Sequence, residues 1–217
     1  MKAILKKNLS FLIPYLLFLL IGAVVIFVNT KAETHLAFNS FHNSFLDVIN
    51  TYTTYLGDGF TAALLIIMMV AIKYRYFIIL AGANVISALI AQALKHFVFN
   101  DIVRPKKFFE GIQDLYFVPG IENHMYNSFP SGHTTCAFAL YMSFALLVEN
   151  RTYKFLFLLL GFFTGYSRIY LSQHFFEDVY AGSFIGVSTS IIVFYFVQKK
   201  NHPWMDNSIV NFFKNER

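Results

Sequence analysis

Three short groups of residues carry the reactive side chains of this chain. Lys95 with Arg104-Pro105 is the first, Pro130-Ser131-Gly132-His133 the second, and Ser167-Arg168 followed by His174 and Asp178 the third. Each lies at the end of a long apolar run. Together they bring three fixed cations, two imidazoles and one carboxylate to the edge of a membrane. Such a set suits an anionic phosphate better than a metal ion or a carbonyl. Lysine supplies a compact charge, and the planar fork of arginine can hold two phosphate oxygens.

Each group also has an ordinary reading. Pro130-Ser131 marks a helix start with Ser131 as N-cap. The free N–H groups and dipole of that start attract anions, and Gly132 lets an anion approach the backbone. His133 then stands within reach of a leaving oxygen, although a capped helix with an interfacial histidine would look the same. His174 and Asp178 are four apart, so on a helix they share a face. A carboxylate on one imidazole nitrogen fixes the tautomer and leaves the other as a nucleophile. The plain alternative is a buried pair steadying a helix start. Lys95 could snorkel and Arg104 could be a loop charge, yet cations at a membrane edge are costly enough to be suspects for function. Their conjunction is what sets these residues apart.

The elements that must position these residues are membrane spans. The chain has 217 residues, of which 57% are hydrophobic and 13% charged, and its mean hydropathy is +0.54. Soluble domains carry about a quarter charged residues. Apolar runs long enough to cross a bilayer fall near 11–28, 56–74, 76–98, 132–148, 154–171 and 179–198. The expected fold is therefore all-α: a polytopic bundle of six transmembrane helices in one membrane domain over 1–217. A motif-bearing core covers about 50–198, and a short tail follows from 199 to 217. The apolar series Phe38, Phe41, Phe45, Ile49, Tyr52 and Leu56 recurs at helical spacing opposite Ser40, Asn43, Asp47 and Asn50. It predicts an amphipathic helix in the outer interface, or equally one packed on the bundle. Residues 1–28 read as a retained span rather than a cleaved signal, because the apolar run is long and Thr30-Lys31-Ala32 is a poor cleavage site.

The net charge of +5 is a topology signal rather than a nucleic-acid footprint. With the N-terminus inside, 11 of the 17 basic residues fall on the inner side and six on the outer. Lys95, Arg104 and Arg168 are three of those six, so the remaining ratio is 11 to 3. Both ends are thus expected in the cytoplasm, with the motifs on the opposite face. Cys136, the one cysteine, can form neither an intramolecular disulfide nor a cysteine metal cluster. The other histidines, His35, His42, His96, His124 and His202, lack ligand spacing and read as interfacial or loop residues. His124 is the exception to watch, since it precedes the second motif. Asn84 and Gln92 read as contacts to neighbouring helices. The pairs Gly161/Gly165 and Gly182/Gly186 read as close-packing sites.

In order and placement the motifs resemble the type 2 phosphatidic acid phosphatase family, also called the lipid phosphate phosphatase and vanadium haloperoxidase superfamily. The resemblance covers about residues 50–198. The second and third motifs match in full. The first departs, with eight residues between Lys95 and Arg104 where the family most often has six, and a longer turn after span three would absorb the difference. The resemblance implies that His174 attacks phosphorus, that Asp178 orients it, and that His133 protonates the leaving oxygen and then activates water. Lys95, Arg104, Ser131, Gly132 and Arg168 would hold the phosphoryl oxygens, with no cofactor and no divalent metal. Expected partners are the bilayer and a lipid phosphate: phosphatidylglycerophosphate, phosphatidic acid, undecaprenyl diphosphate or lipid A. The short chain and outer-facing motifs fit the periplasmic face of a bacterial inner membrane. A lipid-to-lipid phosphotransferase and a non-enzymatic lipid-binding module remain as alternatives, and the spans exclude a soluble haloperoxidase.

Overall fold

A computed structural model describes residues 1–211; Phe212, which with Trp204, Ile209 and Val210 gives the tail an apolar series that could rest on the inner interface, lies outside them. In chain order the helices are α1 (Lys2–Lys7), α2 (Leu9–Val28), α3 (Lys31–Asn39), α4 (Ser44–Thr53), α5 (Gly59–Ile72), α6 (Tyr74–Ala93), α7 (Pro105–Phe108), α8 (Gly132–Leu147), α9 (Arg151–Tyr170) and α10 (Phe176–Gln198). Short 3₁₀ turns occupy Thr54–Gly57 and Pro203–Asp206, and no strand occurs among the described residues. The chain is an all-helical membrane protein. By length and apolarity α2, α6 with its extension to Val98, and α10 can each cross a bilayer. Ser44–Gly57 and Gly59–Ile72 add a fourth only if the two, bent by 49°, form one span. The shorter α8 has 16 residues. It is enclosed by α6, α9 and α10, so it faces protein more than lipid.

The packing of α8 on α10 explains the Gly182/Gly186 pair. A Cβ on Gly182 would sit 2.7 Å from the Ser131 carbonyl oxygen, and one on Gly186 would sit 2.6 Å from that of Thr135. Only hydrogen fits between these backbones. The same contact holds the start of α8 beside the start of α10, which brings the second and third motifs together. Around it Phe138, Met142, Leu158 and Val187 form one cluster with Phe11 and Tyr15 of α2.

The amphipathic helix expected between Phe38 and Leu56 is broken. α3 starts at a capping box of Thr30 and Glu33. A second start at Asn43, whose side chain accepts from the Leu46 N–H at 2.9 Å, opens α4. Capping chemistry at Asn43 therefore overrides the continuous apolar spacing. The apolar stripe of α4 points outward, with Phe45 72% and Tyr52 69% exposed, while Asn50 and Thr54 are buried. That polarity is the one an element facing lipid would have. Asp47 ties α4 to the bundle, accepting from the Tyr170 and Tyr116 hydroxyls at 2.6 Å each.

Two buried cations close the opposite end. Lys154 donates to Asn8 Oδ1 at 2.5 Å and to the Lys7 carbonyl at 3.0 Å. Arg75 donates to both carboxylate oxygens of Asp206 and to the Val197 and Lys200 carbonyls. It thereby ties the start of α6 to the end of α10 and to the tail.

Candidate active site

A cavity of about 380 Å³ opens at the motif-bearing end of the bundle. Lys95, Arg104, Gly132, His133, Arg168 and His174 all line it. Six of the eight expected site residues therefore share one space. The other two, Ser131 and Asp178, are fully buried behind it.

The third motif supplies the reactive pair. Asp178 Oδ2 accepts from His174 Nδ1 at 3.2 Å, from the Ser128 hydroxyl at 2.5 Å and from the Phe175 N–H at 3.0 Å. Nδ1 is thereby the protonated nitrogen, and Nε2 is left for the cavity. His174 does not share a helical face with Asp178 as expected from sequence, because α10 begins only at Phe176. The turn after α9 makes the contact instead, doubling back so that the Gln173 and His174 N–H groups both donate to the Arg168 carbonyl, at 3.0 and 3.1 Å. Asn123 clamps the same turn through the Leu171 carbonyl at 2.8 Å and the Ser172 carbonyl at 3.2 Å. Burial holds the His174 imidazole well below its ordinary pKa, and the nearby Arg104, Arg168 and Lys95 push it further down. The ring is thereby held neutral.

The second motif forms the start of α8. The Ser131 hydroxyl contacts Thr134 Oγ1 at 2.9 Å and accepts from the Thr134 N–H. Its backbone N–H donates to the Asp178 carbonyl at 3.0 Å. Ser131 is thus the N-cap expected from sequence; its fully buried hydroxyl lies off the cavity lining, which Gly132 and His133 reach. The first N–H groups of α8 have no intrahelical acceptor, and they present the positive end of the helix dipole. A Cβ on Gly132 would meet no atom within 4 Å.

The first motif is reached through a π turn. Leu94–Val98 continue α6 with wider spacing, closed by the Phe99 N–H on the Leu94 carbonyl at 2.8 Å. Lys95, on this turn, is only 8% exposed and lines the cavity. Arg104 then enters from the loop. Its Nε donates to the Tyr126 carbonyl at 2.9 Å, and its Nη1 reaches the Gln173 carbonyl and Oε1 at 3.2 and 3.3 Å. The π turn and the loop behind it accommodate the eight-residue spacing. Arg168 Nη1 donates to Thr54 Oγ1 at 2.7 Å, and its buried Nε has no partner among the described residues.

Several site neighbours carry no sequence signal. Gln173 clamps Arg104 and donates from Nε2 to the Glu122 carbonyl at 2.8 Å. Ser128 and Thr54 belong to no motif; nearness to the Pro130 group was the one clue to Ser128. Gln92, expected to bond to a neighbouring helix, lines the cavity instead. Asn84 does accept from the Cys136 thiol at 3.4 Å. His124, with Glu122, Thr51 and Tyr55, also lines the cavity. His35, expected at an interface or in a loop, is wholly buried against Phe109 and Phe175, with Nε2 at 3.2 Å from Ser172 Oγ.

The PAP2 superfamily pattern matches residues 60–202. Undecaprenyl-diphosphatase BcrC of Bacillus subtilis is 30% identical over 160 residues, covering 72% of this chain and 78% of that protein. A shorter stretch of 79 residues is 37% identical to the bacitracin transport permease protein BcrC of Bacillus licheniformis and spans only 38% of that protein. Among solved structures, Aquifex aeolicus LpxE superposes with a TM-score of 0.68 at 29% identity, over 76% of this chain and 94% of that one. The transmembrane PAP2 type phosphatidylglycerolphosphate phosphatase of Bacillus subtilis superposes at 0.66 over 91% and 98%, and at 22% identity it bears on the fold alone.

Proposed function

This chain belongs to the PAP2 superfamily, and from that premise we propose that it is a membrane lipid phosphatase. It hydrolyses a phosphate monoester or diphosphate of a lipid through a phosphohistidine, without a divalent metal. The observation that carries this reading is the His174–Asp178 pair opening onto a cavity shared with His133 and three cations.

In the first step His174 Nε2 attacks phosphorus, the bond from phosphorus to the lipid oxygen breaks, and His133 gives that oxygen a proton. Asp178 holds the Nδ1 proton and stabilises the positive charge that the ring acquires. In the second step His133 takes a proton from water, and the hydroxide attacks phosphorus. The P–N bond breaks, and inorganic phosphate leaves. Lys95, Arg104, Arg168 and the first amides of α8 hold the non-bridging oxygens through both steps.

The chain functions as one membrane domain of six spans with both termini cytoplasmic. Its site faces the outer, periplasmic side of a bacterial inner membrane. The 11-to-3 distribution of basic residues supports that orientation, as does the gathering of Arg75 and Lys154 at the end away from the cavity. Undecaprenyl diphosphate is the substrate named for the Bacillus subtilis relative, and phosphatidylglycerophosphate stands beside it as a class expected from the motifs. Phosphate release in detergent with excess EDTA, from these two lipids, phosphatidic acid and lipid A, tests the reading. Release from at least one lipid is expected. Release from none, or a loss on chelation that magnesium restores, would overturn it, and phosphate appearing on an acceptor lipid would make the chain a phosphotransferase.

A further inference from the structure

Thr54 lies ahead of the region matched by the PAP2 superfamily, yet it lines the cavity beside His133 and Arg168. It sits on the 3₁₀ turn Thr54–Gly57, which presses on the start of α8. A Cβ on Gly57 would lie 2.6 Å from the His133 carbonyl oxygen and 2.5 Å from Thr164 Cγ2. The turn is thus fixed by contact, and Thr54 is 8% exposed.

Its hydroxyl has a defined polarity. Arg168 Nη1 donates to Thr54 Oγ1 at 2.7 Å, and a guanidinium has no acceptor to offer in return. The threonine proton therefore points elsewhere, and its hydroxyl makes no hydrogen bond to a protein acceptor among the described residues. Lys95, Arg104 and Arg168, which surround the same cavity, are all donors. A donor hydroxyl among donor cations is matched by an anionic oxygen.

We propose that Thr54 is a further phosphoryl-binding residue, donating its hydroxyl proton to a non-bridging phosphoryl oxygen while Arg168 fixes its orientation. The inference rests on the phosphatase reading and extends its site to a turn outside the three motifs. Arg168 and Thr54 then act as a unit, the guanidinium holding the hydroxyl oxygen and the hydroxyl proton extending the reach of the cationic site. The hydroxyl adds a neutral donor where another charge would have increased repulsion among the three cations.

The full chain in detergent tests this with orthovanadate as the probe, alongside steady-state phosphate release. Thr54→Val and Thr54→Ala should each weaken orthovanadate binding and lower kcat/KM by about 10–100-fold, the range for a hydrogen bond to a charged group. Thr54→Ser, which keeps the donor, should stay within roughly threefold of wild type by the same reasoning. In an Arg168→Lys background, Thr54→Ala should still weaken orthovanadate several-fold. Thermal melting confirms that each variant is folded, and the alanine variant decides if the valine variant is not. Unchanged orthovanadate affinity in folded Thr54→Ala, a serine variant as impaired as alanine, or no further loss beside Arg168→Lys would overturn the proposal. A wild-type protein that neither releases phosphate nor binds orthovanadate would instead overturn the phosphatase reading itself.

Discussion

Asp178→Asn is the sharpest probe of the site, because the structure fixes how the new amide must sit. Asp178 is wholly buried, and its Oδ2 faces three donors: His174 Nδ1–H, the Phe175 N–H and the Ser128 hydroxyl. An asparagine that placed its NH₂ at the Oδ2 position would set donors against the two N–H groups. Leaving buried donors unsatisfied costs about 1–3 kcal/mol each. The amide will therefore put its oxygen there, keeping the contact to Nδ1 and the tautomer of His174. What is lost is the negative charge opposite the ring as it becomes cationic. Hydrogen bonds to charged groups contribute about 1.5–3 kcal/mol, so phosphorylation should slow on the order of 10²-fold. A forced wrong tautomer would cost more, about 10⁴-fold in the serine-protease triad. Asp178→Ala removes charge and acceptor together, so it should fall below Asn and melt at a lower temperature. Rapid-quench measurement of phosphoenzyme formation in one turnover reads these rates directly. Asparagine within about threefold of wild type, or asparagine and alanine equally impaired, would refute the reasoning.

His174→Ala should abolish both turnover and phosphoenzyme. His133→Ala should slow phosphorylation by a lipid alkoxide leaving group by about 10²–10⁴-fold but by a nitrophenyl phosphate much less, and equal losses in single-turnover assays would show that His133 is not the acid. In a Cys136→Ser background, Lys107→Cys should react with an impermeant thiol reagent in spheroplasts and Asn201→Cys only after lysis; the reverse pattern would invert the topology. Burial pushes His35 from its ordinary 6.5 down to about 4, so between those values the unfolded chain binds the extra proton and stability rises with pH. That contribution, about 3 kcal/mol at full strength, is present above pH 6.5 and lost as pH falls towards 4. His35→Gln should remove that part of the pH dependence of melting, and an unchanged dependence would show that another group titrates.

The residues that make up the site were legible because their types are costly anywhere else near a bilayer. Lys95, Arg104, Arg168 and His174 stand out by charge or ring chemistry, and Gly182 and Gly186 by helical spacing. Geometry that depends on the local path of the backbone was not legible. The four-residue interval of His174 and Asp178 suggested one helical face, but the histidine sits on a turn held by the Arg168 carbonyl, which accepts, and the Asn123 side-chain amide, which donates. The long interval between Lys95 and Arg104 left no mark of a π turn. A lone histidine such as His35 gives no sign of burial, since only the long-range approach of α3 to Ser172 and Phe109 encloses it. Thr54 is one threonine among several, and it becomes distinctive only when Arg168, 114 positions later in the chain, arrives beside it.

The two ends of the bundle show why the same residue type can be structural in one place and functional in another. Arg75 is buried, and its charge is answered by both oxygens of Asp206, with two carbonyls filling its remaining donors. That arginine is satisfied and ties chain segments together. Arg104 and Arg168 are held by neutral acceptors, namely the Tyr126 and Gln173 carbonyls, the Gln173 amide and the Thr54 hydroxyl. Neutral acceptors fix direction but leave charge uncompensated. The buried carboxylate near them, Asp178, directs Oδ2 to His174, Ser128 and Phe175. Among the described residues no ion pair joins a carboxylate to Lys95, Arg104 or Arg168. Uncompensated buried charge is destabilising, so a bound anion would stabilise this end of the fold in a way that it would not stabilise the other. A phosphoryl group gains the most from such a site as its oxygens share charge in the transition state, which is where pre-oriented cations lower a barrier.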